Sequence, residues 1–225
     1  MDDAEKAGLV TLMSFSSDAD ILWGTALALA RRAGGVSPRG HALPLLLFFT
    51  DPDRTPEPWK IAQNLPQGSA VVYRAFSRPD AEVTGLKLRA ACDRAGVRLL
   101  VGKDEALATT IKADGLHLPE IDMARAEHLA KQYPHWLLTC ALHGPLDGRS
   151  ATGLDAFVVS PVFRAGGASR AKPDLGIEAF SQIIDALPCP AYGLGGINPA
   201  NAAQLLTTRA CGIAGVEAIM RAFGR

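Results

Sequence analysis

Residues 193–201 read GLGGINPAN, an apolar run that stops at two adjacent glycines and turns into a helix-like stretch. Gly195 and Gly196 carry no Cβ, so their backbone N–H groups can approach an anion closely, and a helix starting just after them aims its positive end at the same place. A second glycine, Gly215 in GIAGVEAI (212–219), stands before Val216 and Glu217 and supplies the other half of such a cradle. The chemistry expected of this pattern is the binding of a phosphate. Tight turns alone also place glycine pairs, so the pattern acquires force only from its position in a fold.

That position follows from the apolar runs. There are eight: LPLLLFFTD (43–51), SAVVYRAF (69–76), VRLLVGKD (97–104), GLHL (115–118), WLLTCAL (136–142), AFVVSPVF (156–163), PAYGLGGI (190–197) and GIAGVEAI (212–219). Several are continuous rather than alternating in apolar residues, the pattern of parallel strands covered on both faces. Helical stretches separate most of them, with Asp122 and Asn198 as candidate helix caps. HGPLDGRSATGLD (143–155), rich in glycine and small polar residues, is expected to be a helix reduced to a turn. Eight strands alternating with helices predict an α/β fold of the (β/α)8 TIM-barrel type, with a doubly wound open sheet as the rival. Residues 43–225 form the barrel in this division, and residues 1–42 an N-terminal helical extension whose stretch ILWGTALALARRAG caps the barrel floor. In such barrels the chemistry sits at the carboxyl ends of the strands, and phosphates bind after strands seven and eight, where the glycines fall.

Composition excludes other classes. The 225 residues, 48% hydrophobic, suffice for one sizeable core. With 23 Lys and Arg against 23 Asp and Glu, no overall field would hold nucleic acid or an acidic membrane. No apolar run approaches the roughly 18 residues of a membrane span. Cys92, Cys140, Cys189 and Cys211 are scattered in apolar surroundings without metal-binding spacing, as expected of buried free thiols in the cytoplasm.

Taken together, ADGLHL (113–118), VVSPVF (158–163) and the stretch from Gly193 to Ile219 resemble the thiamine-phosphate synthase and TenI-like superfamily of (β/α)8 barrels. The resemblance covers about residues 43 to 219 and implies a cytoplasmic transferase of thiamine biosynthesis. Such an enzyme joins hydroxymethylpyrimidine diphosphate to thiazole phosphate and releases pyrophosphate with Mg2+. Two alternatives stand beside it: a metal-independent thiazole phosphate tautomerase, and a protein that binds thiazole or thiamine phosphate without turnover. Small phosphorylated pyrimidines and thiazoles are the implied partners, with a homodimer as a compatible assembly.

Position by position, the resemblance assigns phosphate binding to Gly195, Gly196, Ala214, Gly215 and Val216. After strand two the synthase pattern Gln-x-Arg-x-Lys meets Val72-Tyr73-Arg74-Ala75-Phe76, so only Arg74 matches; its planar fork suits a pair of phosphate oxygens, and equally a structural carboxylate. After strand three, Gly102-Lys103 stands where the synthase has Asn-Asp. Lys103 would supply a point cation, and Asp104 replaces the metal-binding aspartate if the strand end bulges by one residue. Asp122 matches the second metal carboxylate and also sits where a helix cap belongs. After strand five, Ala141-Leu142-His143 replaces Ser-x-His, leaving His143 as the candidate acid–base group. His117 is expected to be a satisfied core histidine. In the loop after strand six, Arg164, Arg170 and Lys172 could close over phosphates.

Overall fold

Each of the eight apolar runs forms a strand, and the strands close into one parallel barrel in chain order, as a computed structural model of residues 17–164 and 173–224 shows. They are β1 (Leu46–Phe49), β2 (Ala70–Tyr73), β3 (Arg98–Gly102), β4 (Gly115–Leu118), β5 (Leu137–Leu142), β6 (Ala156–Val159), β7 (Ala191–Gly193) and β8 (Gly212–Gly215). Closure is direct, with Phe48 of β1 registered against Val71 of β2 on one side and Gly215 of β8 on the other.

Continuous apolar runs are required because each strand is covered twice. Leu47, Phe49, Val72, Leu100, Val158 and Tyr192 pack together as one cluster inside the barrel. Their neighbours Leu46, Phe48, Val71, Leu99 and Phe157 belong to the shell between the strands and the helices. Side chains alternate across a strand, so a run buried on both faces has no polar position to spare. Fully burying each such side chain contributes roughly 1.5–3 kcal/mol.

The outer layer consists of α1 (Asp18–Ala33), α2 (Pro58–Ala62), α3 (Ala81–Ala95), α4 (Glu105–Thr110), α5 (Ala126–Gln132), α6 (Gly176–Asp185) and α7 (Glu217–Phe223). Among the described residues it also holds two 3-10 segments, Glu120–Arg125 and Ala202–Thr207. The expected helix after β7 is therefore a short 3-10 turn, and the expected loss of the helix between β5 and β6 is observed. Of the two candidate caps, Asp122 lies inside its 3-10 segment rather than before it, and the residue flanking the second segment is Asn201 rather than Asn198.

Helix α1 is built as the sequence suggests but placed elsewhere than on the floor. Ser17 caps it, its hydroxyl accepting from the Asp20 N–H at 3.2 Å, and Gly34 closes it at φ 82°. Its buried residues Leu22, Ala26, Leu29 and Ala30 recur at helical spacing and form one face. That face packs on the flank of the barrel against β8, α7 and the 3-10 segment after β7, where the short helix leaves strand surface open. The floor is made instead by the loop that follows. Val36 pairs with Ala42, Leu43 joins the inner cluster, and Tyr192 donates from its hydroxyl to the Pro44 carbonyl at 2.6 Å.

Candidate active site

At the carboxyl ends of β1, β2, β6, β7 and β8 lies a cavity of about 820 Å³. Its walls combine the glycine loop after β7, the end of β8, and an arginine-rich side formed by the loops after β1 and β2.

The glycine loop lines one end. Gly195 has φ 100° and Gly196 φ 66°, both in the left-handed region. A Cβ on Gly195 would meet the Pro161 side chain at 2.7 Å, and one on Gly196 would meet the Arg164 carbonyl at 2.5 Å. The glycines are thus required by the close approach of the loop after β6, in addition to any access they give an anion. Their carbonyls are bound: Gly195 O accepts from Phe163 N at 3.0 Å, and Gly196 O accepts from the amides of Asn198 and Asn201 at 3.2 and 2.9 Å. Neither glycine N–H donates to an acceptor among the described residues. Ala214, Gly215 and Val216 line the cavity beside them.

Arg74 lines the other end. It is half-buried, its Nε donates to the Thr50 carbonyl at 2.7 Å, and its Nη2 is buried without a hydrogen-bond partner among the described residues. The nearest carboxylate oxygen, Asp51 Oδ2, is 3.7 Å from that nitrogen. Burial pushes the Arg74 pKa down, partly offset by Asp51. Asp51 belongs chiefly to another arginine: Arg54 Nη2 donates to it at 2.8 Å, and this bond is the main reason its carboxyl is held below the usual range. With its nearest carboxylate at ion-pair rather than hydrogen-bond distance, the part of the Arg74 guanidinium that lines the cavity offers a planar cation to an oxyanion.

The remaining sequence candidates divide. His143 directly follows β5 and is exposed; its Nδ1 is 3.0 Å from the Ser160 carbonyl and 3.2 Å from Ser160 Oγ, so it stands behind a residue that lines the cavity. Lys103 directly follows β3, exposed and at φ 68°, and Asp104 N is bonded back to Gly102 O at 2.8 Å, so the strand ends in a tight turn. Asp104, however, caps α4, its carboxylate accepting from Leu107 N at 2.9 Å. Asp122 lies 4.0 Å from Arg125. Lys103, Asp104 and Asp122 are not among the residues lining the cavity, and Arg170 and Lys172 fall outside the described residues. Magnesium needs carboxylate oxygens beside the phosphates it bridges. Asp104 and Asp122 lie outside the cavity and do not offer such a donor set to a phosphate held in it.

Sequence reasoning missed several lining groups, among them Asp51, Arg54, Phe76, Arg78 and Ser160. Asp51 and Ser160 occupy the position one or two residues beyond a strand, the place where barrel function concentrates, and that rule alone could have found them. His117, by contrast, is the core histidine expected. It is buried in the barrel, 2.9 Å from Thr139 Oγ1 and edge-on to Phe49 at 4.9 Å, and burial pushes its pKa down to about 3. The four cysteines are free and buried, and burial raises Cys92, Cys140 and Cys189 to about 12. No helix among the described residues is long and apolar enough to cross a membrane.

Comparison with known proteins agrees with this architecture. The chain is 35% identical over 144 residues to a thiamine-phosphate synthase of Chloroflexus aurantiacus, covering 61% of the chain and 64% of that protein. It is 29% identical over 157 residues to one of Listeria monocytogenes, covering 68% of the chain and 72% of that protein. The chain thus spans about two thirds of the length of these relatives. The structure of a thiamine phosphate pyrophosphorylase from Pyrococcus furiosus shares the fold, with TM-score 0.66 at 24% identity over 80% of this chain and 91% of that one. The sequence profile described as thiamine monophosphate synthase (TMP-TENI) matches residues 46–219, so the chain belongs to that family.

Proposed function

We propose that the protein is a transferase that joins hydroxymethylpyrimidine diphosphate to thiazole phosphate and releases pyrophosphate. In this reaction the bond from the pyrimidine methylene carbon to the diphosphate oxygen breaks, with the electron pair leaving on pyrophosphate. The thiazole nitrogen then forms the new bond to that carbon. The demand on the protein is electrostatic: to stabilise charge growing on the leaving group and to hold two reactants in line, without a protein nucleophile.

The observation that carries the proposal is the pairing of donors at the two ends of one cavity. The N–H groups of Gly195 and Gly196, which have no acceptor among the described residues, suit the thiazole phosphate, and the Arg74 guanidinium, only loosely paired with Asp51, suits a diphosphate oxygen. The volume of about 820 Å³ admits both substrates together. The buried free cysteines fit a reducing compartment, the cytoplasm.

A second function, metal-independent tautomerisation of the thiazole phosphate, is favoured by one contact. His143 can pass a proton by way of Ser160, whose hydroxyl lies 3.2 Å from its Nδ1 and lines the cavity. One set of assays separates the two. Pyrophosphate release that needs both substrates is the expected result. Ring isomerisation with thiazole phosphate alone, lost in His143→Ala, would replace the transferase with the tautomerase, and ligand binding without either reaction would leave a binding protein.

A further inference from the structure

Phe76 is anomalous on two counts. Its ring is 65% exposed, and its backbone lies at φ 47°, followed by Ser77 at φ 58°. Two successive non-glycine residues in the left-handed region, one of them bulky, represent strain, and an exposed ring forgoes the burial that would offset it. Within the protein the ring's recorded aromatic contact is with Arg74, whose guanidinium carbon lies 5.3 Å from its centroid. The ring therefore stands at the cavity wall beside the guanidinium of Arg74. It also occupies the position where the synthase pattern has a lysine, so this chain places a flat apolar face where a charge is usual.

We propose that Phe76 is a specificity-determining residue, a stacking platform for the pyrimidine ring of the diphosphate substrate. The inference rests on the transferase function above. In that substrate a single methylene and one oxygen separate a planar heteroaromatic ring from a polyanion. A site for it needs a cation and an aromatic face within one side chain of each other, which is the relation of Arg74 to Phe76. The Arg74 guanidinium takes an anionic oxygen at the cavity wall, and Phe76 takes the ring in an offset or edge contact. Ligand binding then covers the exposed ring and makes good the backbone strain.

The test compares the binding of hydroxymethylpyrimidine diphosphate with that of inorganic pyrophosphate by calorimetry, in the wild-type protein and in Phe76→Ala and Phe76→Trp. The wild type should prefer the organic diphosphate about tenfold, the contribution of one aromatic stack. Phe76→Ala should lose most of that preference with pyrophosphate affinity unchanged, and Phe76→Trp should keep it. The ring is exposed, so Phe76→Ala should melt at the wild-type temperature or above, and Phe76→Gly should melt higher because its backbone is relieved. An equal preference in wild type and Phe76→Ala overturns the platform, even if turnover confirms the transferase. Absence of turnover with the ring preference intact overturns the transferase and leaves the platform standing. No binding of either ligand overturns both.

Discussion

The two ends of the barrel each hold a buried charge, and they treat it in opposite ways. On the floor, the wholly buried Asp155 carboxylate accepts from Ser37 Oγ at 2.6 Å, Arg39 Nη1 at 2.8 Å and Leu138 N at 2.7 Å, and faces His41 Nδ1 at 3.1 Å. Arg39 is tied down in turn, to the carbonyls of Trp136 and Pro134 at 3.0 and 3.1 Å. At the mouth, among the described residues, Arg74 keeps a buried donor without a hydrogen bond, and two glycine N–H groups have no acceptor beside the same cavity. A closed polar network stabilises, because no group is left desolvated and unmatched; an open one stores affinity for whatever completes it. The same barrel thus separates an end whose polar groups are matched from an end, the proposed binding end, where some are left open.

The sharpest way to break that contrast is Asp155→Ala. Removing one partner of a buried pair leaves Arg39 uncompensated, and the expected loss is about 3–5 kcal/mol of stability. Urea denaturation measures it, and ligand affinity of the folded fraction should not change. A loss below 1 kcal/mol would mean that the loop 35–44 does not hold the floor.

At the opposite end, Arg74→Ala should behave in reverse. A charge-assisted hydrogen bond contributes about 1.5–3 kcal/mol, so kcat/KM for the diphosphate substrate should fall about 10- to 100-fold. Thermal stability should move little, since the bond to the Thr50 carbonyl is offset by relief of the buried Nη2. Arg74→Lys should rescue poorly, because a point charge cannot replace the fork. If Arg74→Ala unfolds the protein while activity per folded molecule persists, the arginine is structural.

Gly196→Ala tests a position where the two ends' logics overlap. The added Cβ meets the Arg164 carbonyl at 2.5 Å and must sit at φ 66°, so about 1–3 kcal/mol of stability should be lost. Phosphate affinity should fall with it, since the loop carrying the free N–H groups has to move. Unchanged stability with lost affinity would show that the glycine serves the ligand alone.

Most of the architecture was legible in the sequence because parallel strands buried on both faces leave an unmistakable mark: LPLLLFFTD and AFVVSPVF have no solvent side. The glycine loop was legible for the same reason, since its place after β7 follows from counting strands. Helix α1 was recognisable as a helix, but its periodicity says only that one face is apolar, not which surface of the barrel will cover it. The cavity's arginine side was less visible. Asp51 and Arg54 on the loop after β1 meet Arg74 and Phe76 after β2 only when the two strands pair in register, and sequence-local patterns carry no trace of that juxtaposition. The resemblance directed attention to Asp104 and Asp122, whose cap and 3-10 placements depend on the exact ends of β3 and β4.

His117 sits between the two ends and gives the smallest of these effects, one visible only as a change with pH. Burial is the main cause of its lowered pKa of about 3, with the charge of Arg74 a further one. In the unfolded chain the imidazole titrates near 6.5, so as pH falls from about 6.5 towards 3 the unfolded state binds a proton that the folded state refuses. Stability from this group is therefore complete above about pH 6.5 and drains away on acidification, by about 1.4 kcal/mol at pH 5.5. Urea midpoints of the wild type at pH 7.5 and 5.5 should show this difference, and His117→Asn should show it reduced by that amount whatever its stability at pH 7.5. An unreduced difference in the variant would mean that His117 is protonated within the fold, and that the barrel interior under Arg74 is wetter than its packing against Phe49 and Thr139 implies.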